Sequence, residues 1–277
     1  MPLVNLYTLL EFRDERKTVA PAFNTTNLET TLAIMEGLNE SGYPGIIQIT
    51  PNNLKLSGYE YIGEITKIAG QKFETPITLH LDHGKTFDDI KMAVQVGFGS
   101  VMIDGSELDF EENIKLTKRV KDYCKCFNIP VEAELGAIAG KEDDHISEDN
   151  LKTDPTLVEE FVKRSGCDLL AVSIGNVHGL EGQPNIDLDL LKKISQNSPV
   201  PLVLHGGSGI PLEIIKKIRD YNVVKVNIAS EIRKVFIQTI GQFYEVNHNE
   251  YNLLKVLMKA KQSVKETVSL KARLINS

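Results

Sequence analysis

The chain has 277 residues, 42% hydrophobic and 25% charged, an ordinary globular balance that excludes a disordered or fibrous protein. Its 31 basic and 38 acidic side chains leave a net charge of −7, so the basic footprint that nucleic acid requires is missing. No apolar run approaches the roughly 20 residues of a membrane span. Glu11 and Asp14 come too early for a signal peptide. Three cysteines, an odd number in a long chain, point to a reducing, cytoplasmic setting.

Eight short apolar runs read as strands, at 19–23, 46–50, 77–82, 100–104, 131–135, 169–174, 202–205 and 223–228. Most are nearly continuous, as expected for parallel strands buried on both faces. Amphipathic stretches at 28–41, 87–96, 111–124, 155–165 and 188–195 read as helices between them. Thr86 or Asp88 is placed to cap the second of these, and Asp154-Pro155 sets proline at the first position of the fourth. Eight strand–helix units fit a (β/α)₈ barrel, the TIM barrel, better than a doubly wound sheet. Such a barrel needs about 250 residues, so residues 1–277 are expected to form one domain with a C-terminal helical tail. The polar stretch 140–153 follows strand five and reads as a long mobile loop. The tail, 249–277, reads as one or two helices packed on the barrel or on a second subunit.

Polar residues gather where the apolar runs stop, the face on which barrels carry their chemistry. His83, His178 and His205 each follow a different strand. Three imidazoles around one rim, with one position open, describe a catalytic Zn²⁺ site. Asp82 is suited to general acid/base work on a substrate hydroxyl, or to orienting a ligand histidine. His80 shares its face and reads as a core histidine. Glu132 and Glu134 share one face of strand five, a costly pairing without a cation or hydrogen bonds. Glu134, nearer the rim, is the alternate or second metal ligand. Glu132 and Asp104 are expected to support the ligands from behind. His205-Gly206-Gly207-Ser208-Gly209 has the composition of an anion cradle, and Asn227 through Ser230 would supply its second half at a helix start. Cys124 and Cys126 lie on different helix faces, and Cys167 reads as structural. Lys225 shares a strand face with Asn227, which leaves open Schiff-base chemistry at its amine on the same fold. A metal-dependent hydrolase would carry His-x-His after strand one, where Phe23-Asn24 stands. A non-catalytic phosphate-binding scaffold would have no use for so many acid/base groups.

Over nearly its whole length the sequence resembles the class II, metal-dependent ketose-bisphosphate aldolases. The resemblance runs through Ala22-Phe23-Asn24, His80-Leu81-Asp82-His83-Gly84, Val131-Glu132-Ala133-Glu134-Leu135-Gly136, Gly140-Lys141-Glu142-Asp143-Asp144, Val177-His178-Gly179-Leu180, His205-Gly206-Gly207-Ser208-Gly209 and Lys225-Val226-Asn227-Ile228. It implies one catalytic zinc per subunit on His83, His178 and His205, with Glu134 as an alternative ligand. It implies that Asp82 exchanges a proton with the C4 hydroxyl, and that Glu142 moves the proton on C3 of dihydroxyacetone phosphate. Asn24, Thr50, Gly179, Gly206, Gly207, Ser208, Asn227, Ala229 and Ser230 match positions that hold the substrate and its phosphate, often beside Na⁺ or K⁺. The implied reaction is reversible cleavage of a ketose 1,6-bisphosphate to dihydroxyacetone phosphate and an aldehyde, through a zinc-stabilised enediolate. Homodimers and homotetramers both occur in the family. Ala229 resembles the tagatose-bisphosphate branch, since the fructose branch usually has Asp there. Two departures bear on the distal end of the substrate. Glu181 stands where an aromatic commonly follows His-Gly-Leu, and Ser269 aligns with a basic residue, with Lys271 and Arg273 nearby. A mono-phosphorylated or acidic sugar, as in inositol-catabolic aldolases, is the alternative substrate.

Overall fold

A computed structural model describes residues 3–16, 18–142, 145–147, 151–180, 182 and 184–277, with the backbone alone at 13–16, 141–142 and 145–147. All eight apolar runs are strands: β1 (Ala20–Asn24), β2 (Gly45–Ile49), β3 (Ile77–Gly84), β4 (Ser100–Ile103), β5 (Val131–Leu135), β6 (Leu169–Val172), β7 (Leu202–Leu204) and β8 (Val223–Ile228). Each pairs in parallel with the next, and β1 closes on β8 with Ala22 opposite Asn227. The chain is a (β/α)₈ barrel. Every residue of these eight strands is buried, which is why most of the runs are nearly continuously apolar, while the polar residues that alternate in β3, β5 and β8 face the barrel interior.

The helices are α1 (Leu6–Arg16), α2 (Leu28–Ser41), α3 (Pro51–Ser57), α4 (Tyr59–Gly70), α5 (Phe87–Gln95), α6 (Phe110–Lys125), α7 (Val158–Ser165), α8 (Leu188–Asn197), α9 (Leu212–Ile218), α10 (Ser230–Val246) and α11 (Leu253–Asn276). No helix among the described residues is long and apolar enough to cross a membrane. The main core lies between the strands and the helix ring. A second apolar cluster joins Ala20, Ala22, Ile46, Leu169, Ala171, Val203 and Val224 to Leu6 and Leu9 of α1, so this N-terminal helix packs over the lower end of the barrel. Higher in the interior, Asn24, Gln48, His80, Asp82, Glu132, Glu134, Lys225 and Asn227 are all buried.

The structure departs from expectation in three places. Helix α1 has no counterpart in the periodicity reading, because its apolar residues do not form one clean stripe. Helix α7 begins three residues after Pro155. Asp154 instead closes a turn, accepting from the Thr156 amide at 2.8 Å and its hydroxyl at 2.7 Å. The stretch read as a mobile loop contains an antiparallel hairpin, Gly140–Glu142 against His145–Ser147. The tail falls within its expectation: it is one helix, α11, packed on α2 and α10 of the barrel. Thr86 caps α5 as expected, in a reciprocal capping box with Asp89.

Candidate metal centre and active site

Adjacent residues in a regular strand face opposite sides, yet Asp82 and His83 both turn into the upper barrel. Two local features allow it. The register of β3 against β4 shifts between Leu81 and Gly84, and His83 takes φ +48°. A left-handed backbone at a non-glycine residue costs on the order of 1 kcal/mol or more and tends to persist at functional sites.

The three rim histidines converge. The candidate ligand atoms of His83, His178 and His205 all lie within 4.8 Å of one another, and all three residues are buried. The rings of His83 and His205 meet edge to face, with centroids 4.8 Å apart. His83 Nδ1 lies 2.8 Å from Asp104 Oδ2, and His205 Nε2 lies 3.0 Å from Glu132 Oε1. Each ring therefore commits its N–H to a carboxylate. The two remaining nitrogens, His83 Nε2 and His205 Nδ1, are 3.1 Å apart, and with both rings neutral, as metal ligands must be, they turn their lone pairs toward each other. Facing lone pairs repel, and a cation between them turns the repulsion into ligation. Burial holds His205 below the usual histidine range, against the pull of Glu132, which keeps the ring neutral as a ligand must be.

Carboxylates complete the centre. Burial pushes Asp104 upward, but the His83 imidazole and the Lys85 ammonium, 2.8 Å away, outweigh it and hold the group well below the carboxylate range. Glu134 goes the other way: burial, reinforced by the charge of Asp104, holds it well above that range. Its Oε2 is buried with no hydrogen-bond partner among the described residues and lies 3.9 Å from His205 Nδ1. His83, Asp104 and Glu134 form a second group able to hold a cation. An orphaned carboxylate oxygen beside imidazole nitrogens is a donor set that fits a divalent metal such as zinc.

Asp82 sits in a cage of amides. Its Oδ2 accepts from Asn24 Nδ2 at 2.8 Å and Gln48 Nε2 at 3.1 Å, and its Oδ1 from Asn227 Nδ2 at 3.2 Å. Asn24 and Asn227, expected on the substrate, thus orient this carboxylate. Gln48 was missed. It interrupts the isoleucines of β2 on the register of Asn24 and His80, and a buried amide in an apolar strand was the available signal. Lys85 was also missed, because it follows its strand and its partner Asp104 is distant in sequence. His80 is the satisfied core histidine expected, with Nδ1 2.8 Å from the Ser100 hydroxyl.

Close loop packing sets the remaining positions. Gly140 has φ +115°, and a Cβ there would lie 2.2 Å from His178 O; the His178 amide donates to Ala139 O at 2.8 Å. The strand carrying Glu142 is thereby stitched to the His178 loop, although the Glu142 side chain lies outside what is described. A Cβ on Gly206 would likewise strike Val177 O at 2.3 Å. The Gly207 amide is spent on Asn227 O at 2.8 Å, so that glycine serves loop packing and offers no N–H to a phosphate. The Ser208 hydroxyl accepts from the Glu231 amide in the first turn of α10 at 3.3 Å. Ala229 is the N-cap of that helix, without a side-chain cap, and Ser230 is its first residue. Gly179 has φ +94° in the loop beside them. Thr50 caps α3. Ser269 is buried against α2, its hydroxyl 3.3 Å from Glu40, while Lys271 pairs with Glu231 at 2.7 Å.

Comparison with known proteins agrees with this geometry. The family model for class II fructose-bisphosphate aldolases matches residues 4–277. A probable fructose-bisphosphate aldolase of Bacillus subtilis (strain 168) is 35% identical over 99% of this chain and 97% of its own length. The crystal structure of the YdjI aldolase from Escherichia coli K12 superposes with a TM-score of 0.86 at 30% identity, covering 99% of this chain and 97% of that one. The fructose-bisphosphate aldolase of Campylobacter jejuni, at 22% identity, shares the fold with a TM-score of 0.85, covering 99% of this chain and 95% of that one. The chain belongs to the class II fructose-bisphosphate aldolase family and is an aldolase, a carbon–carbon lyase.

Proposed function

We propose that the protein cleaves a ketose 1,6-bisphosphate reversibly to dihydroxyacetone phosphate and an aldehyde such as glyceraldehyde 3-phosphate, with tagatose bisphosphate favoured over fructose bisphosphate. The observation that carries this reading is the meeting of His83 Nε2 and His205 Nδ1 at 3.1 Å beside the caged carboxylate of Asp82. His83, His178 and His205 would hold one Zn²⁺ per subunit, with Glu134 as the alternative ligand. The ion supplies the electron sink that bond cleavage beside a ketone needs.

Asp82 takes the proton of the C4 hydroxyl at a carboxylate oxygen aimed by Asn24, Gln48 and Asn227. Asp104 and Glu132 hold the rings of His83 and His205 in register. Glu142, on the hairpin tied to the His178 loop, exchanges the proton on C3, and the hairpin covers the site from water. The triose phosphate is taken by Gly179, Gly206, Ser208 and Ser230 at the start of α10, with Thr50 across the rim and Na⁺ or K⁺ alongside. Ala229 in place of the acid usual in the fructose branch supports the tagatose preference.

The experiment is a panel of ketose mono- and bisphosphates assayed for triose release with and without a chelator. Release from tagatose bisphosphate, abolished by the chelator, is expected; chelator-insensitive release would end the metal reading, and preference for a mono-phosphorylated or acidic sugar would end the substrate reading. Glu142→Ala should slow hydrogen exchange on dihydroxyacetone phosphate by about 10²–10⁴-fold with zinc content intact, and normal exchange would remove Glu142 from the scheme.

The proposal extends to a homodimer or homotetramer working in the cytoplasm on small phosphorylated sugars, without nucleic acid or membrane. Three free cysteines support the reducing setting. Tyr244, Val246, Tyr251, Leu253, Leu254 and Met258, close in sequence around the α10–α11 turn, are 59–87% exposed, and a concentration of exposed large apolar side chains supports association there. Sedimentation of the native chain as a monomer would end the oligomer reading.

A further inference from the structure

Lys225 is a fully buried lysine that the proposed reaction does not use. Its ammonium lies 2.9 Å from Glu132 Oε2, and Glu132 Oε1 lies 3.0 Å from His205 Nε2. We infer that Lys225 is a positioning residue: by anchoring Glu132 from below, it fixes His205 with Nδ1, and not Nε2, as the atom that faces the metal. The inference rests on the metal reading above.

The residues form one line through the interior: Lys225, Glu132, His205, His83, Asp104 and Lys85. A lysine stands at each end, a carboxylate inside each lysine, and an imidazole inside each carboxylate. At the outer end Lys85 is partly exposed and Asp104 has further donors in the Ser106 amide and hydroxyl, at 3.1 and 2.7 Å. At the inner end Glu132 is fully buried, and a carboxylate there costs several kcal/mol unless it is paired. Lys225 supplies the pairing. His80 Nε2 lies farther off, 3.6 Å from Oε2 and 3.5 Å from the Lys225 ammonium, and its Nδ1 is engaged with Ser100. Without the ammonium, Oε2 loses its close partner and the carboxylate is free to turn. His205 then loses the fixed acceptor that dictates which ring nitrogen points to His83.

The same geometry argues against Lys225 as a nucleophile. It lies two residues, or about 6.6 Å, below Asn227 along β8. Its amine is locked in an ion pair under the histidines, where a ketone would have to displace Glu132 to reach it.

The test compares wild type, Lys225→Met, Glu132→Gln and the double variant. The readouts are circular dichroism, zinc affinity of the metal-free protein against a chromogenic chelator, and the visible spectrum of the Co²⁺-loaded protein. Lys225→Met should weaken zinc binding about 10–100-fold and shift the cobalt spectrum. A lysine that acts only through Glu132 adds nothing once Glu132 is gone, so the double variant should match Glu132→Gln in both affinity and spectrum. Should the single variant fail to fold, that second comparison decides. Unchanged affinity and spectrum in folded Lys225→Met, or a further loss in the double variant, would overturn the inference, as would borohydride trapping of dihydroxyacetone phosphate on Lys225. If wild type itself binds no zinc, the metal reading fails first, and the titration separates the two failures.

Discussion

The two ends of the barrel use the same chemical parts in opposite ways. At the lower end, Asp168 accepts from Tyr7 Oη at 2.7 Å, from Lys121 Nζ at 2.6 Å and from the Val131 amide at 2.7 Å. Lysine, carboxylate, phenol and backbone satisfy one another there, and Leu6 and Leu9 of α1 pack beside them. At the upper end, Glu134 Oε2, Asn227 Oδ1 and Gln48 Oε1 are buried without hydrogen-bond partners among the described residues, and two imidazole nitrogens confront each other. A closed network stabilises the fold. An incomplete one costs stability and is tolerated where a ligand completes it. The lower end holds the molecule together, and the upper end has the unsatisfied groups on which the proposed chemistry rests.

That contrast can be broken by mutation. The largest expected effect is at the rim. His205→Ala should abolish zinc binding and reduce turnover by at least the two to three orders of magnitude that one lost electrostatic stabiliser costs. The barrel should stay folded by circular dichroism, and full zinc content in this variant would refute the assignment. Next is the base. Asp168→Ala strands Lys121 and the Val131 amide and should cost about 2–3 kcal/mol, an allowance for a pair that is not fully dry. The melting temperature should fall by roughly 5–10 °C, with the zinc content of the folded protein unchanged. A loss of metal with no change in melting would invert the contrast.

The smallest effect is at Tyr7. Tyr7→Phe removes the hydrogen bond donated to Asp168 and the longer one accepted from Lys121 Nζ at 3.2 Å, together worth about 1 kcal/mol. Burial, reinforced by Asp168, raises the Tyr7 phenol, so its contribution is fully present below the unfolded value near 10 and is lost as pH rises through the raised folded value. Wild-type stability should therefore drop on the alkaline side of pH 10, and the variant should show a shallower drop. Parallel alkaline limbs in denaturant titrations would remove Tyr7 from the account.

Much of the molecule was legible because burial on both faces writes itself as an apolar run. All eight strands stand within a few residues of where the hydrophobic pattern put them, and His83, His178 and His205 follow strands whose ends a closed barrel must bring together. Helix α1 was not legible, since its fit to the barrel base depends on residues far along the chain. The hairpin inside 140–153 escaped because Ile146 is the one large apolar residue in its pairs, and hydrophobic periodicity carries no signal there. Gly207 looked like a phosphate donor by composition, but whether an amide is spare depends on where Asn227 O lies.

From its order of residues alone, the chain specifies the barrel, the rim and the chemical types gathered on it, because those follow from local periodicity and from the closure of eight parallel strands. Only the folded structure decides that Asp82 and His83 both turn inward, that Asn24, Gln48 and Asn227 converge on one carboxylate, and that Lys225 lies beneath Glu132. These depend on a register shift, a left-handed backbone angle and contacts across as many as 145 positions of sequence, and no neighbour in the chain dictates any of them.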